Sequence, residues 1–240
     1  MKYSKEFFEI NLHFAQRVAD VLQQPLEIVL LEYTHLYLRF GLGRSFDPSN
    51  PTWQTYLAGL KQNQAQIDWT YQFYLRQYEQ LPPKTPEHGF GCFSYSPWDD
   101  GRIRIHFHNG EPGDESPLSQ ERISFRLSEL KAMLTQLKQI ILPTTKVVGG
   151  SWLYNLEAYR RLFPPRYLES AYPNEDEFQF ISLWGQFVDR RGRLREQTVR
   201  LFLDNLERQN TLEGLKTCFP FQSLCLESLL KDFYQFYGIE

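Results

Sequence analysis

The chain has 240 residues, of which 42% are hydrophobic and 16% aromatic, with Phe 19, Tyr 14 and Trp 5. Disordered and low-complexity classes are excluded, because such chains lack the residues that build a core. A net charge of −3 gives no overall basic field for nucleic acid, so no nucleic-acid partner is expected.

Residues 3–22 carry Phe7, Ile10, Phe14, Val18 and Val21 at spacings of three or four, which predicts an amphipathic helix. A second, more apolar helix is expected from Pro25 to about Phe40, stopped by Gly41-Leu42-Gly43. A Tyr- and Gln-rich helical stretch follows over about 52–79, with Gly59 as a point of interruption. Pro82, Pro83 and Pro86 cannot continue a helix. They mark an expected boundary between a helical domain, 1–81, and a second domain, 87–240.

The second section opens with strand-like residues 89–96 and 102–108 around Asp99-Asp100-Gly101, a hairpin signal. Ile103, Ile105 and Phe107 alternate with Arg102, Arg104, His106 and His108. Residues 118–141 predict a helix, since Ile123, Leu127, Leu130, Leu134, Leu137 and Ile141 repeat at helical spacing. A short strand is expected at 145–148, broken by Gly149-Gly150-Ser151, then a short helix at 155–162. Residues 177–188 read as a central strand apolar on both faces. A helix carrying Val199, Phe202, Leu203 and Leu206 and a last helix over 223–237 close the chain. The order β-β-α-β-α-β-α-α predicts an α+β fold, a mixed sheet covered by helices.

Three cysteines, Cys92, Cys218 and Cys225, are odd in number and irregularly spaced, so no disulfide framework is expected. There is no C-x-x-C pair, and no metal site is expected. Residues 1–10 lack a signal-peptide apolar core, and no apolar run approaches the roughly 20 residues of a membrane helix. A cytoplasmic protein with no membrane partner is expected.

Three places could carry chemistry. His106 and His108 share one strand face with Arg102 and Arg104, a setting for proton transfer near an anion; the bland alternative is a solvent-facing strand. Gly149, Gly150, Ser151 and Trp152 could bring backbone and a hydroxyl close to a ligand, or form a bulge with Trp152 in the core. Arg190, Arg191, Gly192 and Arg193 lie between a strand and a helix start, as an anion cradle or a solvated turn.

Ser151-Trp152-Leu153-Tyr154-Asn155, Leu162-Phe163-Pro164-Pro165, Phe178-Gln179-Phe180 and Phe187 resemble a pattern in bacterial two-domain acyltransferase-like proteins. These pair a helical N-terminal domain with a GNAT-like (N-acyltransferase-like) C-terminal domain, and their pattern runs roughly "SWLLDP…L…LPP…FQ…F". Arg104-Ile105-His106-Phe107 falls where that family has an "L-H-I-P"-like strand. Asn155 stands where the pattern has Asp, and the Gln/Arg-x-x-Gly-x-Gly/Ala coenzyme signature is absent.

The resemblance implies an acyl-CoA-dependent N-acyltransferase acting on a small-molecule amine, with acyl-CoA as co-substrate and no tightly bound cofactor. It implies His106 or His108 as base and Ser151 as polar relay. Gly149, Gly150, Trp152 and the turn of Arg190, Arg191, Gly192 and Arg193 would hold the coenzyme. It also implies that two neighbouring strands, 145–148 and 177–188, splay apart to admit the thioester arm. Two alternatives stand beside it: a non-catalytic ligand- or partner-binding protein on a degenerate GNAT-like fold, and a hydrolase using Ser151 with a histidine. Oligomeric state is left open.

Overall fold

A computed structural model describes residues 2–43, 46–81, 89–109, 111, 115–142, 144–174 and 183–240. In chain order the first helices are α1 (Lys5–Leu22), α2 (Leu26–Tyr33), α3 (Leu36–Arg39), α4 (Pro51–Gln62) and α5 (Gln66–Gln80). Next come β1 (Gly89–Phe90), β2 (Phe93–Pro97), β3 (Ile103–Phe107), α6 (Ile123–Ile140) and β4 (Lys146–Ser151). The chain continues through α7 (Glu157–Arg160), α8 (Pro165–Glu169), β5 (Tyr172–Pro173), α9 (Glu196–Leu206), α10 (Leu212–Lys216), β6 (Leu224–Leu229) and α11 (Leu230–Tyr237). No described helix is long and apolar enough to cross a membrane.

These elements form two compact units, residues 1–83 with 176–220 and residues 84–175 with 221–240. The first unit is helical among its described residues. α1 buries Phe7, Phe8, Ile10 and Phe14 along one face, as its spacing requires. Phe14 packs against Trp184, Phe202 and Phe219 at ring distances of 5.5, 5.9 and 5.3 Å. Residues 183–206 therefore share a core with α1.

Three expected elements of this unit differ. The helix expected to about Phe40 breaks at Thr34, whose backbone is extended. The helix expected over 52–79 breaks after Gln62 rather than at Gly59. Gly59 instead lets α5 approach, since a Cβ there would lie 2.0 Å from the Trp69 ring. Of the strand expected over 177–188, residues 183–187 form a 3-10 helix that buries Leu183, Trp184 and Phe187. Its remaining residues, 177–182, fall outside the described ones. The apolar side chains of the described residues 183–187 fill a helical core rather than a sheet.

The second unit is a two-layer α+β structure. Its described strands form one sheet in the order β1-β2-β3-β4-β6-β5. β3 and β4 are parallel; all other neighbours are antiparallel. One sheet face packs on α6, α7, α8 and α11 through a core that includes Ile103, Ile105, Val147 and Leu226. Leu130, Met133, Leu134 and Leu137 of α6 are fully buried there. Each contributes about 1.5–3 kcal/mol of burial free energy. The final helix was expected from 223; residues 224–229 are instead strand β6, which lies between β4 and β5. β4 runs through Gly149-Gly150-Ser151 rather than stopping before it.

In the helical unit, His35 is fully buried, between Phe7 and Trp184 at ring distances of 5.5 and 6.0 Å. Neither ring nitrogen has a hydrogen-bond partner among the described residues. Burial first, and then the nearby Arg39 charge, holds its pKa well below the usual 6.5. The native state thus excludes a proton that the unfolded chain accepts. Stability is full above about pH 6.5 and falls as pH drops from there toward the folded-state pKa. His35→Leu is expected to flatten the fall in Tm between about pH 7 and pH 5. An unchanged slope in thermal melts of the variant would contradict this.

Candidate functional site

β3 alternates as its sequence predicts, with Ile103 and Ile105 buried and Arg104 and His106 half-buried. Its antiparallel register with β2 runs Phe93↔Phe107, Ser94↔His106, Tyr95↔Ile105, Ser96↔Arg104 and Pro97↔Ile103. Ser94, Ser96, Arg104 and His106 therefore share the sheet face opposite the helices. Ser96 Oγ and His106 Nε2 are 2.7 Å apart. The Arg104 guanidinium lies 4.4 Å from the Trp98 ring centroid.

The other edge of β3 holds the feature that sets this face apart. β3 and β4 pair only at Ile103↔Val147 and Arg104↔Val148. Beyond these positions the parallel ladder ends, while β3 stays paired to β2 and β4 stays paired to β6 through Ser151. Residues 105–107 and 149–151 thus border a gap in the ladder, called the opening below. Arg104 Nη2 reaches across it to the Gly150 carbonyl at 3.4 Å.

The tyrosines behind β4 help to fix its course. Tyr154 and Tyr167 are buried with their hydroxyls 2.9 Å apart. Burial, before any other cause, raises the pKa of both, so they stay neutral. A Cβ on Gly149 would lie 2.1 Å from the Tyr167 hydroxyl and 2.2 Å from that of Tyr154. Only glycine lets this backbone lie on the hydroxyl pair.

The remaining expected residues take other positions. His108 follows the end of β3, and its main-chain N–H donates to the Cys92 carbonyl. Burial lowers its imidazole pKa, against a backbone hydrogen bond at Gly91 that raises it. Ser151 Oγ accepts from the Leu153 N–H at 3.1 Å, capping the 3-10 turn Trp152–Asn155. Trp152 is buried and stacks on Phe221 at 5.9 Å.

Arg190, Arg191, Gly192 and Arg193 belong to the helical unit, whereas the histidines and Ser151 belong to the sheet unit. Within that turn the anion is the chain's own Asp189. Its carboxylate accepts from the Arg191 and Arg193 main-chain N–H groups at 2.7 and 3.0 Å, and it pairs with the Arg193 guanidinium at 2.8 Å.

Cys92, Glu111 and Glu129 form a potential metal-ligand cluster. The Arg126 guanidinium sits among them, bonded to Cys92 Sγ and Glu111 and 3.0 Å from Glu129. Arg126 is only 1% exposed. This arrangement ties α6 to the turn between β1 and β2 and supplies the positive charge that the carboxylates need. An open cleft of about 410 Å³ lies at the N-terminal ends of β3 and β4 and includes Arg102 and Lys146. Both cations there approach Glu227, Lys146 at 2.7 Å and Arg102 at 4.0 Å.

Comparison of the chain with family models, curated proteins and solved structures gives no match.

Gly149→Ala is expected to destabilise the protein by about 1–3 kcal/mol by overpacking the tyrosine pair. Gly150→Ala meets only the mobile end of Arg104, at 3.0 Å, and is expected to cost less than about 1 kcal/mol. Urea midpoints compare the two; equal losses would contradict the assigned packing.

Proposed function

We propose that the sheet unit is a GNAT-like acyl-transfer domain that takes an acyl-CoA and passes the acyl group to a small-molecule amine. The observation that carries this reading is the parallel pair β3 and β4, laddered at two positions and then separated. The sequence resemblance expected such an opening between 145–148 and 177–188. The interrupted ladder lies instead between β3 and β4, and described residues 183–187 take no part in the sheet. An interrupted ladder suits an extended, amide-containing pantetheine arm, because peptide groups beside the interruption can extend the ladder onto a ligand.

His106 is the residue best placed to act as base. It lies on the stretch of β3 that borders the opening, two residues beyond the last paired position. Direct attack on a thioester needs the amine deprotonated and the tetrahedral oxyanion stabilised. Arg104 supplies a permanent positive charge on the same face. Gly149 and Gly150 line the β4 side. The Asp189-closed arginine turn is not part of the proposed coenzyme site.

The pairing of Arg193 with Asp189, together with the absent coenzyme signature, favours one alternative, a non-catalytic ligand- or partner-binding protein on a degenerate form of the same fold. Isothermal calorimetry with acetyl-CoA and longer acyl-CoAs, followed by thiol release with a panel of amines, separates the readings. The transferase reading expects binding and amine-dependent thiol release. His106→Ala should retain binding and lose about 10²–10⁴-fold in rate. Binding with no thiol release would support a ligand-binding form of the alternative, and no binding across the panel would remove the transferase reading.

A further inference from the structure

The geometry points to Ser96 as a covalent nucleophile, activated by His106, that carries the acyl group as an ester before it is passed on. This deepens the acyl-transfer reading by changing its route from direct attack to a two-step exchange. The supporting observation is the 2.7 Å contact between Ser96 Oγ and His106 Nε2. That distance is within the range for a nucleophile and its general base. Ser96 is half-buried rather than sealed in the core. The hairpin register sets the pair, placing Ser96 across from Arg104 and diagonal to His106 on one sheet face. Arg104 adds a permanent positive charge where an anionic intermediate would develop.

Ser151, the serine singled out by its glycines, has its oxygen engaged as a turn cap. Ser96 Oγ has an imidazole nitrogen, His106 Nε2, as its partner. The hairpin thus brings together a hydroxyl, an imidazole and a guanidinium on one sheet face, with the imidazole and guanidinium on β3, the strand that borders the opening.

In the first step Ser96 Oγ attacks the thioester carbonyl and its proton passes to His106 Nε2. The C–O bond forms, the C–S bond breaks, and the thiolate leaves with the proton from His106. In the second step an amine, or water in its absence, attacks the ester carbonyl and gives its proton to His106. The C–N (or C–O) bond to the acceptor forms, the bond to Ser96 breaks, and Ser96 Oγ recovers the proton.

The test uses a fluorophosphonate probe on the full-length protein, with peptide mapping of the label. It reads serine nucleophilicity without any coenzyme, so its outcome is independent of acyl-CoA binding. Labelling is expected on Ser96, to be abolished in Ser96→Ala, to fall at least tenfold in His106→Ala, and to be unchanged in Ser128→Ala. Circular dichroism establishes that each variant is folded; His106→Gln serves in place of a misfolded His106→Ala. A second arm incubates the protein with acetyl-CoA, quenches in acid and seeks one added acetyl group on Ser96. Probe labelling of Ser96 that depends on His106 supports the nucleophile even if no acetyl group is captured. Absence of labelling on Ser96 in the folded wild-type protein, or labelling that persists in Ser96→Ala, overturns it.

Discussion

The two-residue parallel ladder between β3 and β4 is the constraint on which the sheet unit turns. Ile103↔Val147 and Arg104↔Val148 hold the strands together where both bury apolar side chains against the helical layer. Each strand then follows its antiparallel partner, β2 on one side and β6 on the other, and the shared edge opens. The opening is therefore a product of strand pairing elsewhere in the sheet. Gly149 permits it locally, because its lack of a side chain lets β4 lie against the Tyr154 and Tyr167 hydroxyls.

Charge is arranged differently around the opening and away from it. Arg126 is enclosed by two carboxylates and a thiol, and Arg193 closes on Asp189 in its own turn. Both are internally compensated and serve the fold. Removing one partner from the buried Arg126 costs about 3–5 kcal/mol, because it strands a charge away from water, whereas the exposed Arg193 pair is worth far less. Arg104 instead lies over an aromatic ring and reaches a carbonyl across the opening. His106 meets the Ser96 hydroxyl at 2.7 Å. These groups present chemistry at a surface of the sheet.

Much of this could be read from the residues, and the failures have physical causes. The alternation in Arg102–His108 gave β3 and its faces, and the apolar repeat from Ile123 to Leu137 gave α6. β6 was missed because Leu226, Leu229, Leu230 and Phe233 fit a helical repeat that truly begins only at Leu230. Over six residues, alternation and helical spacing are hard to tell apart. The apolar stretch containing Trp184 and Phe187 looked like a two-faced strand, yet it is buried by aromatic packing with Phe202 and Phe219. His106 was visible as a candidate. Its partner Ser96 was not, since a one-residue change in hairpin register would have sent that hydroxyl to the other face.

The most direct test is residue-resolved amide hydrogen exchange on the full-length protein, with and without acetyl-CoA. The account predicts slow exchange for ladder amides at 103–104 and 147–148. It predicts fast exchange for those amides at 105–107 and 149–151 that face the opening, slowed when acetyl-CoA is added. Uniformly slow exchange along both strands in the free protein, or no slowing with saturating acetyl-CoA, would contradict it.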